Sequence, residues 1–275
     1  MTKLRARVLA ALALLAVTSA STGPARADRA PLQFGVLNQQ SPVLTAERWN
    51  PILSYVSTVS GVPLRLKMGP TWQETDAMMA RGEFDFIYTN HNFQPQYDAI
   101  GYRVIARWGG DAIRCVIVVA ADSPLQRIHE LAGRRVAFPS PDAFVGYAVP
   151  KVGLKKAGVV VEEVFSSNQE GALAQLKARR VAAAAANSRF LAQYSEREGV
   201  RFRELYISDA YPELAVVAHP RVPAQIVERV RQALLGLKND PNADEIRKNA
   251  KTPGFESATD RDYESVRAVY RLIAQ

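Results

Sequence analysis

The chain has 275 residues, of which 48% are hydrophobic and 23% are charged, and it contains one cysteine. This composition is that of an ordinary globular protein and excludes the disordered and fibrous classes. A single cysteine also excludes an internal disulfide framework and a cysteine-rich metal site. The formal net charge is +8, but four basic residues lie in the first 27 positions, and without these four the charge is +4. We therefore expect no nucleic-acid partner.

The first 27 residues have the pattern of a cleavable secretory signal. Basic residues come first, an apolar run covers 8–17, and the segment ends in Ala25-Arg26-Ala27. This order is typical of a signal peptide, and ten apolar residues are too few to cross a bilayer, which needs about 20. We predict cleavage after Ala27 and export to the periplasm.

Strands and helices alternate along the first half of the mature chain. Strand patterns cover 32–37, 62–68, 84–88, 102–108 and 115–121. After the first strand, apolar residues between positions 52 and 59 share one helix face, and Asn50-Pro51 is placed to start the main part of that helix. The capping box Thr71-Trp72-Gln73-Glu74 predicts a second helix that ends at Arg81.

The same alternation continues in the second half. Strand patterns cover 135–138, 159–165, 181–186, 202–207 and 214–218. Pro139-Ser140-Pro141-Asp142 leads into a helix that ends near Gly158, and a capping box at 167–170 starts a helix that runs to Arg179. Helical patterns also cover 224–237, 243–249 and 261–274. The pattern predicts an α/β protein with mixed, mostly parallel sheets and flanking helices.

The order of several short motifs is familiar. The motifs are the strand and polar turn 34–40, Trp72 opening a helix that closes on Ala80-Arg-Gly-Glu-Phe-Asp85, Tyr88-Thr89-Asn90, Ala121-Asp122-Ser123-Pro124, Leu131-Ala-Gly-Arg-Arg-Val-Ala-Phe138, Gly146-Tyr-Ala-Val-Pro150, and Asn168-Gln-Glu-Gly-Ala-Leu through Arg180-Val-Ala-Ala-Ala. With these motifs in this order, the chain resembles the periplasmic phosphate/phosphite/phosphonate solute-binding family over essentially its whole mature length.

This resemblance implies a two-lobed type 2 periplasmic binding fold, with two crossing strands between the lobes and a ligand cleft between them. It implies lobe one at 28–113 plus 210–275 and lobe two at 114–209. The implied protein is a monomer without enzymatic activity, which captures a small molecule for an ABC permease. The alternative is a sensor that presents its ligand to a membrane receptor kinase. We expect no cofactor and no metal.

Ligands of open α/β sheets bind beyond the carboxyl ends of the strands. By this rule, together with the resemblance, the candidate ligand contacts are Asn38, Gln39, Trp72, Tyr88, Thr89, Asn90, His91, Asp142, Ala143, Phe144, Asn168, Asn187 and Tyr211. Amide and aromatic side chains dominate this set, which suits a small polar solute or an oxyanion. Trp72, Tyr88 and His91 have an alternative interpretation as structural residues of the core.

The second-lobe helix departs from the family pattern. Relatives usually have a Ser-Thr-Ser-Gly type run where this chain has Asp142-Ala-Phe-Val-Gly146. This chain therefore lacks the hydroxyl groups of that run, and the backbone N–H groups of 144–146 remain as donors for an oxyanion. Asp142 is well placed to cap the helix, where its carboxylate would occupy those donors and repel an anion. Asn187 stands where relatives often have an acidic residue, so we expect aminoalkylphosphonates to bind poorly.

Cys115 has two interpretations. It begins a strand near the predicted cleft, where a thiolate is able to bind a soft oxyanion such as arsenite. Alternatively it is a small buried apolar residue, as free cysteines commonly are.

Overall fold

The computed structural model describes residues 30–38 and 41–274. The predicted signal peptide and Gln39 lie outside the described residues. Within the described part of the chain, no helix combines the length and the apolar character that a membrane span needs.

The first of two sheets has six strands in the order β11-β4-β10-β3-β1-β2. Its strands are β1 (Leu32–Val36), β2 (Leu64–Lys67), β3 (Phe86–Thr89), β4 (Arg103–Trp108), β10 (Ala215–Ala218) and β11 (Phe255–Glu256). β1 is parallel to β2 and β3, whereas β10 is antiparallel to β3 and β4. The helices around this sheet are α1 (Pro42–Ser60), α2 (Trp72–Ala80), α3 (Pro95–Asp98), α7 (Ala224–Gly236) and α8 (Asp244–Ala250). We call this sheet and its helices lobe one.

The second sheet has five strands in the order β7-β6-β8-β5-β9. Its strands are β5 (Cys115–Ala120), β6 (Arg135–Phe138), β7 (Glu162–Phe165), β8 (Ala183–Asn187) and β9 (Phe202–Ile207). β6 is parallel to β7 and β8, and β5 is antiparallel to β8 and β9. The helices are α4 (Val149–Lys156), α5 (Gln169–Lys177) and α6 (Ser188–Glu198). We call this unit lobe two, and the two mixed sheets confirm the predicted α/β class.

α1 differs from the sequence prediction at its start. The helix begins at Pro42 rather than at Pro51, because Ser41 accepts a hydrogen bond from the Leu44 N–H and Pro42 occupies the first turn. Pro51 lies inside the helix and removes only one backbone donor. Gly61 ends the helix in the left-handed conformation, with φ of 66°. One half of the predicted capping box of α2 is present: the Thr71 side chain accepts from the Glu74 N–H, whereas the Glu74 carboxylate pairs with Arg81.

The chain passes between the lobes twice, through residues 109–114 and 208–214. The two passages pair with each other, because Ile113 and Tyr211 exchange two backbone hydrogen bonds of 2.8 Å. Arg189 of lobe two donates to the Glu213 carboxylate at 2.9 Å and to the Asp111 carbonyl at 2.7 Å. The lobe boundaries predicted after residues 113 and 209 fall inside these passages and remain a proposal.

The last helix, α9 (Glu264–Ile273), contacts both lobes. On the lobe-one side, Arg267 forms an ion pair with Asp98 at 3.1 Å and lies over the Phe93 ring. On the lobe-two side, the Tyr270 ring packs on Phe144 with centroids 5.2 Å apart. The C-terminal helix therefore connects the two lobes in addition to the two crossings.

An aromatic cluster forms the centre of the lobe-one core. The Trp49 side chain of α1 is 2% exposed and its ring lies 4.8 Å from Tyr88 and 5.7 Å from Trp108, centroid to centroid. Phe34 and Phe255 complete the cluster. The cluster fixes α1 against the sheet, and α1 supplies one wall of the site described below.

Replacing Trp49 with alanine should leave a large cavity in this cluster. We expect Trp49→Ala to lower the free energy of unfolding by about 3–5 kcal/mol in urea denaturation. Val59→Ala is the matched control, because Val59 lies on the same helix but is 55% exposed, and we expect a change within about 0.5 kcal/mol. Equal effects of the two substitutions would contradict this account of the core.

Candidate ligand-binding site

A cavity of about 530 Å³ lies between the two lobes. Its walls come from five segments that follow the parallel strands: residues 37–38 and 41–48 after β1, 90–91 after β3, 139–146 after β6, 167–170 after β7 and Phe190 after β8. Since the carboxyl ends of parallel strands carry the loops and helix N-termini, this is the place where the topology predicts a ligand. Ile113 and Leu214 of the crossing segments lie at its edge.

Half of the predicted contacts line this cavity. They are Asn38, Asn90, His91, Asp142, Ala143, Phe144 and Asn168. The Asn90 side chain is 4% exposed and makes no hydrogen bond to the other described residues. Asn38 is already engaged, because its amide donates to the Gly69 carbonyl and accepts from the Thr75 hydroxyl. Asn90 is therefore the freer of these two amides for a ligand.

The sequence analysis missed one face of α1. Ser41, Leu44 and Arg48 line the cavity at helical spacing. Arg48 donates its Nε–H to the Ala250 carbonyl at 2.8 Å and its guanidinium lies 4.6 Å from the centre of the Trp108 ring. Burial lowers the pKa of Arg48, and the charges of Tyr88 and Glu213 oppose that shift. An arginine nevertheless keeps its charge in proteins, so Arg48 gives the cavity wall a permanent positive charge.

His91 is a second group that carries a positive charge when it is protonated. Its side chain is 1% exposed, and Nδ1 lies 2.9 and 3.0 Å from the two carboxylate oxygens of Asp76 on α2. Burial lowers the pKa of His91, but the hydrogen bond and charge of Asp76, with the charge of Asp142, outweigh burial and raise it. Nδ1 faces Asp76, and Nε2 is buried without a hydrogen-bond partner among the described residues.

The sequence left two roles open for Asp142, a helix cap or a residue of the cleft, and Asp142 does not cap the second-lobe helix. A π-helical turn, Phe144–Ala148, precedes α4, and its N-cap residue is Ala143, which makes no side-chain cap. The Asp142 Oδ1 atom is buried without a hydrogen-bond partner in the described chain. The backbone explains this, because the helix starts one residue later than a cap at Asp142 requires. The amides of 144–146 therefore keep their free N–H groups.

The comparisons with known proteins agree with this geometry. The family model described as "ABC transporter, phosphonate, periplasmic substrate-binding protein" matches residues 34–263. The chain belongs to this family. Members of the phosphonate-binding family bind small molecules, work with an ABC permease and are not enzymes, and the family is periplasmic. A comparison with curated proteins gave no match.

Solved structures show the fold. XAC2383 from Xanthomonas citri bound to chloride is 17% identical, with a TM-score of 0.76, and the match covers 88% of this chain and 98% of that one. PhnD1 from Prochlorococcus marinus in complex with methylphosphonate is 16% identical, with a TM-score of 0.74 and the same coverages. A binding-protein component of an ABC phosphonate transporter, PA3383 from Pseudomonas aeruginosa, is 14% identical, with a TM-score of 0.73 and coverages of 88% and 86%. The predicted two-lobed type 2 fold is confirmed.

Six of the predicted ligand contacts are not part of the described cavity wall. Tyr88 is part of the aromatic cluster around Trp49, and Thr89 is fully buried, where its hydroxyl accepts from the His91 N–H. Tyr211 lies in a crossing segment with its ring edge-on to Phe144. Trp72 lies at the start of α2, and Asn187 lies at the end of β8.

Asn187 has a structural task, since its side-chain oxygen accepts from the Arg189 N–H at 2.8 Å and caps α6. The Asn187 side-chain oxygen is therefore engaged within lobe two. The sequence argument against amino-bearing ligands rested on the neutral charge of this residue and stays a prediction. The carboxylate that does line the wall with an unpartnered oxygen is that of Asp142.

Cys115 is the sixth of these residues. Cys115 is the first residue of β5 and its side chain is fully buried in the core. Burial alone raises the pKa of the thiol well above its ordinary value. A thiolate is the form that binds a soft oxyanion, so the position supports the buried apolar interpretation.

We expect the Cys115 thiol to be inert in the folded protein. A maleimide reagent should label it only after denaturant is added, and Cys115→Ser should leave ligand affinity unchanged in calorimetry. Rapid labelling of the native protein, or a loss of affinity in the serine variant, would contradict this.

The titration of His91 tests the pair with Asp76. We expect ¹⁵N NMR to give a pKa of His91 above its ordinary value of 6.5. Protonation then stabilises the fold fully below pH 6.5, and this contribution is lost as the pH rises through the folded-state pKa. In Asp76→Asn the amide carries no charge, so burial should move the pKa of His91 below 6.5. The control is Asp122→Asn on the exposed pair with Arg179, which should leave His91 unchanged.

Proposed function

We propose that this periplasmic binding protein captures a small oxyanion of the phosphonate, phosphite or phosphate type and delivers it to an ABC permease. One observation carries the proposal: the cavity brings a buried histidine with a raised pKa, an arginine and a helix start with free amides to the same space. These are the groups that bind an oxyanion. Methylphosphonate in the PhnD1 complex is an anion of this class.

The cavity contains donors from both lobes. Arg48, Asn90 and His91 belong to lobe one, whereas the amides of 144–146 and Asn168 belong to lobe two. A ligand that contacts both sides interacts more strongly with the closed arrangement than with an open one. It therefore shifts the equilibrium towards closure, which a permease is able to recognise.

Three finer points belong to the same proposal. The chain is exported with cleavage after Ala27. It acts as a monomer, with one ligand per chain. It binds no nucleic acid, since its charge without the first 27 residues is only +4.

Calorimetric titration of the mature protein with methylphosphonate, phosphite and phosphate tests the function. We expect one binding site, and a ligand-dependent decrease of the radius of gyration in X-ray scattering. Asn90→Ala should weaken binding about tenfold, equal to about 1.4 kcal/mol, because a ligand hydrogen bond is lost. Asn187→Ala is the matched control: it also removes an asparagine at a strand end, but from outside the cavity wall.

The titrations have outcomes that support or refute the proposal. Unchanged affinity in the Asn187 variant with weaker binding in the Asn90 variant supports the assigned site. No heat with any of the three anions, together with no rise in melting temperature, would refute the oxyanion function.

A further inference from the structure

The start of α1 gives the cavity wall an exposed apolar side chain. Leu44 lies in the first turn of α1, is 51% exposed and lines the cavity between the lobes. Val43 beside it is 66% exposed but is not among the residues that line the cavity. An exposed leucine alone is ordinary at a protein surface. Leu44 is informative because its exposed side chain lies on the wall of the candidate site.

Lobe two supplies an aromatic side chain to the same wall. Phe190 lies in the first turn of α6, is half-buried and lines the cavity. Its ring stacks on the ring of Tyr194 one turn later in the helix, with centroids 6.4 Å apart, and this contact holds Phe190 at the wall. The helices α1 and α6 therefore each bring an apolar side chain from their first turn to the space between the lobes.

The helix α1 places this apolar surface one turn away from a positive charge. Arg48 lines the cavity four residues after Leu44, on the same helix face. Four residues of an α-helix rise about 6 Å along the helix axis. An oxyanion that is bound at Arg48 therefore contacts Leu44 only through a substituent of similar length. Inorganic phosphate has no substituent and a methyl group is too short, whereas a chain of three carbons comes close to Leu44.

The polar side chains of the wall in lobe two offer few acceptors to a charged substituent. The Asn168 oxygen caps α5, and the Gln169 oxygen accepts a backbone N–H at 2.7 Å. The Glu170 carboxylate forms an ion pair, and the Oδ1 atom of Asp142 is buried. An ammonium group needs accessible oxygen atoms of this kind. The apolar part of the wall, in contrast, gains from any apolar group that displaces water from it.

We propose that Leu44 and Phe190 form a subsite for an uncharged, apolar substituent of the ligand, with a length of about three carbons. The inference rests on the proposed oxyanion function and names its substrate class, which is organic oxyanions rather than inorganic ones. The ionised oxygens bind at Arg48 and at the amides of 144–146, and the chain lies between Leu44 of lobe one and Phe190 of lobe two. Contact of the chain with both lobes adds to the stabilisation of the closed arrangement.

The experiment titrates the native protein calorimetrically with methylphosphonate, propylphosphonate and 2-aminoethylphosphonate. The last two have equal numbers of non-hydrogen atoms and differ in whether the chain ends in a methyl or an ammonium group. We expect propylphosphonate to bind about tenfold more tightly than methylphosphonate, because two further CH₂ groups leave water. We expect 2-aminoethylphosphonate to bind at least about tenfold more weakly than propylphosphonate, because its ammonium group loses water without gaining an acceptor.

Three variants of α1 locate the preference. Leu44→Ser should remove the preference for propylphosphonate and leave the affinity for methylphosphonate within about twofold of the native value. Leu44→Met keeps an apolar side chain of similar volume and should keep the preference. Val43→Ser is the matched control, since Val43 lies in the same turn and is also exposed but does not line the cavity, and it should leave both affinities unchanged.

Several results would overturn the subsite and leave the oxyanion function intact. They are equal affinities for propylphosphonate and methylphosphonate, tighter binding of 2-aminoethylphosphonate than of propylphosphonate, and a preference that persists in Leu44→Ser or disappears in Val43→Ser. Binding of none of the three phosphonates by the native protein would refute the oxyanion function itself. Thermal unfolding shows whether each variant is folded, and the comparison of the three ligands on the native protein needs no variant.

Discussion

The arrangement of the two crossing segments determines how the two lobes and their strand ends face each other. The chain leaves lobe one once and returns once, and the two passages are hydrogen-bonded to each other at Ile113 and Tyr211. This pairing holds the strand ends of the two sheets on opposite sides of a single space. All five wall segments then face that space, because each of them follows a strand. Loop chemistry can change at this place while the cores of both lobes stay the same.

The electrostatics of the cavity are balanced rather than strongly positive. Asp76 compensates His91, Glu213 lies near Arg48, and Arg197 pairs with Glu170. A cavity of this kind binds an anion through directed hydrogen bonds more than through net charge. Directed bonds also distinguish ligands of similar size, since a missing donor or acceptor leaves a buried group unpaired.

Local signals in the sequence predicted most of the fold. The N-cap at Thr71, the alternation of strands with helices and the polar residues after strand ends all depend on near neighbours in the sequence, and the structure contains them. The start of α1 was wrong because two prolines, at 42 and 51, both fit a first helical turn, and only Ser41 distinguishes them. That error also hid Arg48.

The site was harder to predict because it depends on distant contacts. Nothing near Tyr88 in the sequence shows that Trp49 and Trp108 surround its ring. In the same way, the burial of Cys115 depends on the packing of a whole lobe. Asp142 looked like a cap because its neighbours fit one, and only the three-dimensional backbone shows a π-helical turn there.

The helix α9 has a mechanical consequence. A rigid helix can move with only one of two bodies that separate, so cleft opening must break its contacts with either Asp98 and Phe93 or Phe144 and Lys155. The Phe144 contact is apolar, and Phe144 also lines the cavity. Opening that separates α9 from Phe144 would therefore expose an aromatic surface to water. The free-energy cost of this exposure favours the closed arrangement even without a bound ligand. The ten residues of α9 thus help to set the balance between the open and the closed arrangement of the lobes.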